Sequence, residues 1–167
     1  MSTKTQNKFD QDLLAIQLQP SHVSVSYLSS LLRLVQAALR EVARSEDDTR
    51  TYFDQNPQPV LQLSRLQTGS ALTMYFSFIE SGTGAPFSEL SAQIFGGLLD
   101  RFSKFVQGLP QPGLWGGPAN RPSQYPFEDN LTKRMDQLYR ELRRSPKATL
   151  IAQGRTIEIE GDRLEIG

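Results

Sequence analysis

The sequence predicts an α+β fold, a two-layer sandwich of a mainly antiparallel sheet with helices on one face. Three observations indicate it. Several short segments alternate apolar and polar residues, two long segments carry helical stripes, and glycine turns separate neighbouring strand segments. The order β-α-β-β-α-α-β-β begins like a split βαβ arrangement. Because this architecture hosts many unrelated functions, it predicts no activity by itself.

The first strand and the first helix are predicted at the start of the domain. Residues 12–19 alternate and end at Pro20, which indicates a strand. Apolar residues at helical spacing then continue to Ser45. Either Ser21 or Ser24 can cap this helix, because a serine hydroxyl accepts a hydrogen bond from a free amide of the first turn.

A hairpin is predicted from residues 60–66 and 70–79, with Thr68-Gly69 as a two-residue turn. This register places the apolar side chains of both strands on one face, and a slip of one residue would mix the faces. The opposed pairs are then Leu61 and Phe76, Gln62 and Tyr75, Leu63 and Met74, and Ser64 and Thr73.

Two further helices are predicted in the second half. The first covers residues 86–108, and its central Gly96-Gly97 pair indicates a close approach of the sheet or another helix, with a hinge or a ligand contact as the alternative. The second is predicted to have Asp129 or Asn130 as its cap and to end before Pro146.

Short strands are predicted at the C-terminal end, in residues 148–152 and 155–167. A Gly161-Asp162 turn within the second segment indicates a hairpin. Its opposed pairs are Ile157 and Ile166, Glu158 and Glu165, Ile159 and Leu164, and Glu160 and Arg163.

The length of 167 residues suits one domain. Residues 1–11 are polar and aperiodic and are predicted to form a flexible N-terminal end, so that the domain covers residues 12–167. Within it, residues 109–126 contain five of the ten prolines and the only tryptophan, Trp115. We expect this segment to be irregular.

The composition narrows the class of protein. The 18 basic residues balance 18 acidic ones, so the net charge steers the chain toward neither nucleic acid nor anionic lipid. The chain has no cysteine, which excludes disulfides and thiolate metal sites. No apolar segment has the length of a signal peptide core or a membrane span, so we expect a cytoplasmic protein without membrane contact.

The inventory of catalytic residues argues against an enzyme. His22 is the only histidine, and it precedes the first helix, where an exposed turn residue is expected. The acidic clusters are 46–48, 128–129 and the glutamates of the last hairpin, and none has the spacing of a calcium loop. We therefore expect no catalytic residue, no metal and no cofactor.

A basic segment supports an alternative function, nucleic-acid association. Between Leu131 and Arg155 the chain has seven basic and two acidic residues. One helix face would present several of them to phosphates, and binding would then weaken with salt. The candidate contacts are Lys133, Arg134, Arg140, Arg143, Arg144 and Lys147.

A third function, nucleotide or anion sensing, is suggested by residues 81–86, with Gly82, Thr83 and Gly84 between a strand and a helix. The segment lacks the third glycine of a dinucleotide-binding turn and the lysine of a phosphate-binding loop. A plain connection between two elements is therefore the simpler interpretation.

The preferred hypothesis is a non-enzymatic protein-interaction or assembly module, either a subunit of a larger complex or a homo-oligomer. The thin catalytic inventory supports it, and so does the large apolar content of residues 70–108. Trp115 is a candidate docking residue for a partner, and the last strand is a candidate edge for pairing with another copy.

Overall fold

The computed structural model describes residues 13–45, 60–79, 88–108, 126–161 and 163–167. Three helices and six strands lie within these ranges. In chain order they are β1 (Leu14–Gln19), α1 (Val25–Ser45), β2 (Val60–Gln67), β3 (Leu72–Ile79), α2 (Ser88–Gln107), α3 (Pro126–Leu142), β4 (Lys147–Ala152), β5 (Arg155–Glu160) and β6 (Arg163–Ile166).

The strands form one antiparallel sheet in the order β2-β3-β1-β4-β5-β6. Its first four positions are those of a split βαβ arrangement, in which β1 lies between β3 and β4. The last two strands extend this sheet. The predicted α+β class and element order are therefore confirmed, with the terminal hairpin contributing both β5 and β6.

The core lies between the sheet and the helices. Leu14, Ile16 and Leu18 of β1 are fully buried, whereas Gln17 and Gln19, which point to the opposite face, are only partly buried. Strand β1 thus turns its apolar side chains toward the helices. We call the opposite side of the sheet the outer face. Helix α2 lies against β3, β4 and β5, and α1 packs against both α2 and α3.

Ser24, one of the two predicted caps, caps the first helix. The amide of Tyr27 donates a hydrogen bond to Ser24 Oγ over 3.0 Å. This bond satisfies one of the amides that a helix start leaves without a partner. The helix then ends at Ser45, as the stripe predicts.

The predicted register of the β2–β3 hairpin is wrong. Leu63 lies opposite Phe76 rather than Met74, and Leu66 lies opposite Met74. Residues 68–71, rather than Thr68-Gly69 alone, separate the strands, and a bulge at Ser64 adds one residue to β2. On the side of the bulge away from the turn, the pairing is shifted by two residues from the predicted one. An even shift preserves the face, so Leu61 and Leu63 keep their predicted face.

The terminal hairpin has the predicted register. Its pairs are Ile157 and Ile166, Glu158 and Glu165, Ile159 and Leu164, and Glu160 and Arg163. Gly161 has a φ of 59°, which L residues adopt at a cost. The preceding β4–β5 turn, which the sequence patterns did not predict, has positive φ at both Gln153 and Gly154. Such values match the twist of a two-residue hairpin.

Helix α3 corrects a predicted boundary. It begins at Pro126, so Asp129 and Asn130 lie within its first turns and neither is the cap. It ends at Leu142, before Pro146. In α2, a Cβ added at Gly96 would lie 3.5 Å from Cγ of Gln153 in the β4–β5 turn, which is an ordinary van der Waals contact, so this neighbour does not require glycine at position 96.

Candidate functional site

One row of side chains crosses the whole sheet on the helix side. We call it the apolar row; from edge to edge it contains Leu66, Met74, Ile16, Leu150, Ile157 and Ile166. Its four central side chains are almost completely buried, whereas Leu66 is 53% and Ile166 is 40% exposed. The helices therefore cover the four central strands and leave the row exposed at both edges.

The edge formed by β2 is long and apolar on the helix side. Within the part of the chain that the structure describes, β3 is the only strand paired with β2. Leu63 is 46% exposed beside Leu66, so two large apolar side chains lie next to each other at this edge. An edge strand also presents backbone amides and carbonyls that a further strand can bind.

On the outer face, the polar side chains of β2 are fixed to β3. Ser64 and Ser77 share a hydrogen bond between their hydroxyls. The Arg65 guanidinium lies over the Tyr75 ring, 4.1 Å from its centre, and the Tyr75 hydroxyl donates to Oε1 of Gln67 over 3.5 Å. The bulge directs both Ser64 and Arg65 to this face, because an extra residue shifts the alternation by one.

The edge formed by β6 is short and charged. It has four residues, and on the outer face Arg163 lies opposite Glu160, while Glu165 lies opposite Glu158. Opposed like charges weaken strand pairing. Mutual hydrogen bonds between the backbones of Thr156 and Gly167 close this end of the hairpin.

Lys147 offsets part of this negative charge. Its ammonium lies 3.1 Å from a carboxylate oxygen of Glu158. The hydrogen bond and charge of Glu158, with smaller contributions from Glu160 and Glu165, raise the pKa of Lys147. Lys147 lies on β4, so it does not share the helix surface of the other predicted basic contacts.

The basic residues of α3 and the turn after it contact neighbouring side chains. Arg134 donates to Gln137 over 3.1 Å, and Arg140 pairs with Asp136 at 3.1 Å. These contacts place amide and carboxylate groups beside the guanidinium groups that would meet phosphate.

The last two arginines also lie against acidic or aromatic groups. Arg144 pairs with Glu141 at 2.6 Å and lies 4.9 Å from the centre of the Tyr27 ring. Arg143 lies 5.4 Å from the centre of the Tyr139 ring. Lys133 is exposed. The positive surface is therefore interrupted by carboxylates and rings, which lowers the field available to a polyanion.

A buried polar pair joins α1 to the turn after α3. Ser145 donates a hydrogen bond to the Tyr27 hydroxyl over 2.9 Å, and both residues are buried. Burial raises the pKa of the Tyr27 hydroxyl. This pair holds two elements together, and residue spacing did not predict it because its members are far apart in the chain.

Several predicted site residues lie outside the described residues. They are Gly82, Thr83, Gly84 and Trp115; the acidic cluster 46–48, for which no site was predicted, also lies outside. His22 is described and is exposed before α1. Within the described ranges, no three histidine, aspartate or glutamate side chains are grouped so that they could hold a metal ion.

The sequence patterns missed the exposure of Leu63 and Leu66. The sequence carried a signal for the bulge but not for the exposure, because the pair Arg65-Leu66 breaks the alternation of the preceding residues. Comparison with models of known protein families, with curated proteins and with solved structures gave no match. Among the described helices, none combines the length and hydrophobicity that a membrane crossing requires.

Proposed function

We propose that this chain is a non-enzymatic protein-interaction module and that its contact surface is the β2 edge. The observation that carries the proposal is the pair of exposed leucines at this edge, Leu66 at the end of the apolar row and Leu63 beside it. A strand added beside β2 would gain backbone hydrogen bonds, and its apolar side chains would cover both leucines.

The energetics favour this edge as a contact surface. Fully burying a leucine side chain contributes about 2 kcal/mol, so covering the exposed halves of Leu63 and Leu66 would contribute about 2 kcal/mol together. Adding backbone hydrogen bonds along eight residues of β2 would make the contact directional. The β6 edge has half that length and presents charges.

The nucleic-acid alternative has less support. The arginines at positions 134, 140, 143 and 144 all contact neighbouring side chains, and Lys147 pairs with Glu158. Phosphate binding would have to compete with these contacts. For the sensor alternative, the described residues supply no supporting observation.

The experiment is site-specific photo-crosslinking in the native cells. A photoreactive phenylalanine analogue replaces Leu66, and a matched control carries it at Arg163 on the β6 edge; both positions are exposed. We expect a discrete protein adduct from position 66 and none from position 163. Absence of an adduct at position 66, or equal adducts at both positions, would contradict the proposal.

A further inference from the structure

The exposed segment of β2 is nearly palindromic. Residues 62–67 read Gln-Leu-Ser-Arg-Leu-Gln, so a leucine and then a glutamine follow in both directions outward from the central pair, Ser64 and Arg65, which differ. We call residues 62–67 the palindromic segment. A two-fold axis through its midpoint would exchange Leu63 with Leu66 and Gln62 with Gln67.

The bulge gives the palindromic segment matching faces. In a regular strand, residues three apart point to opposite faces, so Leu63 and Leu66 would be separated. The extra residue at Ser64 brings them to the same side, since Leu63 lies opposite Phe76 and Leu66 opposite Met74, both of which are buried in the core. Gln62 and Gln67 lie opposite Ser77 and Thr73, on the outer face. The face pattern is thus also symmetric about the midpoint.

We infer that the occupant of the β2 edge is a second copy of this chain, paired antiparallel about a two-fold axis between Ser64 and Arg65. This inference rests on the proposed function. In the pair, Leu63 of each copy lies opposite Leu66 of the other on the helix side. The glutamines oppose each other on the outer face, where their amide groups can exchange hydrogen bonds.

Such a pair is closed. The same segment of both copies forms the contact, which is the isologous geometry of two-fold dimers. The free edges of the resulting continuous sheet are then the two β6 strands, which are short and carry Arg163 and Glu165. Short charged edges oppose further strand addition, so assembly ends at the dimer.

The register is testable with engineered cysteines, because the chain has none of its own. Directly opposed residues in antiparallel strands have Cα atoms about 4.5–5.5 Å apart, within the range that a disulfide spans. Identical positions would be offset by the two-residue spacing of Phe76 and Met74, about 7 Å along the strands, and by about 5 Å across them, so their Cα atoms would be about 8 Å apart, which is beyond that range. Leu63→Cys mixed with Leu66→Cys should therefore cross-link under mild oxidation, whereas each variant alone should not.

Two measurements accompany the cross-linking. Sedimentation of the unmodified protein should give a dimer that dissociates on dilution, and Leu66→Lys should be monomeric at concentrations where the wild type is dimeric. Val25→Cys, exposed on α1 at 80%, is the control for random collision and should not cross-link with either variant.

A monomer over the whole concentration range would overturn the inference, as would single variants that cross-link as readily as the mixture. If the protein stays monomeric but position 66 forms a photo-adduct with a different protein, the proposed interaction function is still supported. A monomer without any such adduct would remove both.

Discussion

The two edges of the sheet differ in length, charge and cover, although the same apolar row reaches both. The β2 edge has eight residues and two exposed leucines, and its polar side chains are fixed to β3 on the outer face. The β6 edge has four residues and opposed charges. Apolar exposure alone therefore does not define a contact surface, because strand length and charge decide which edge can accept a further strand.

The largest expected effect is the difference in stability between substitutions at the centre and at the end of the apolar row. Ile16→Ala should lower the free energy of unfolding by about 2–4 kcal/mol, because it leaves a cavity in the core at a fully buried position. Leu66→Ala should cost about 1 kcal/mol or less in the monomer, because half of that side chain is already in water. Urea unfolding of both variants measures the difference.

The Leu66→Ala variant is measured in a protein that also carries Leu63→Lys, and Leu63→Lys alone is its reference. The lysine prevents dimerisation, so the difference reports the stability of the monomer. Equal losses of stability at the two positions would mean that the edge is as well covered as the centre, contrary to the observed exposure of Leu66.

The turn glycines of the two edge hairpins should differ in their contribution to stability, and this effect is of intermediate size. Gly161→Ala should destabilise the protein by about 1 kcal/mol, since the φ of 59° is unfavourable for alanine. Gly69→Ala should be neutral or stabilise by up to about 0.5 kcal/mol, because Gly69 is not among the positive-φ glycines. A Cβ at either position would meet no atom within 4 Å, so the contrast isolates the backbone.

Thermal unfolding at one protein concentration would measure both glycine variants. If Gly69→Ala lowers the stability as much as Gly161→Ala does, position 69 also requires glycine, contrary to the observed backbone conformation.

The smallest expected effect concerns the charges beside β6. Glu158 raises the pKa of Lys147, so the folded state holds this proton more tightly than the unfolded chain does. The stabilisation is fully present below the unfolded pKa, near 10.5, and is lost as pH rises through the higher folded pKa. Lys147→Gln should lower Tm at pH 8 by less than Gly161→Ala does.

The pH series supplies the check on this last variant. The Tm difference between wild type and Lys147→Gln should shrink when the pH is raised past 10.5, and added salt should reduce it at pH 8. If the Tm difference is unchanged above pH 10.5 and at high salt, the effect comes from packing of the lysine stem and not from its charge.

Local patterns were sufficient for much of the fold. The helical stripe of α1 predicted its end at Ser45, and Ser24 was one of two predicted caps. The Gly161 turn predicted every pair of the last hairpin, because a two-residue turn fixes the register of the strands beside it. The chemistry of a short segment determines such features, and they require no knowledge of distant residues.

The β2 edge was decided by tertiary structure. The four-residue connection 68–71 and the bulge at Ser64 changed a register that alternation alone had placed differently. The exposure of Leu63 and Leu66 depends on where the helices end their cover of the sheet, and no pattern within β2 contains that information. Local sequence patterns therefore determine the order of the elements and the turn at Gly161, whereas the shared face of Leu63 and Leu66 and its exposure follow from the bulge and from where the helix layer ends.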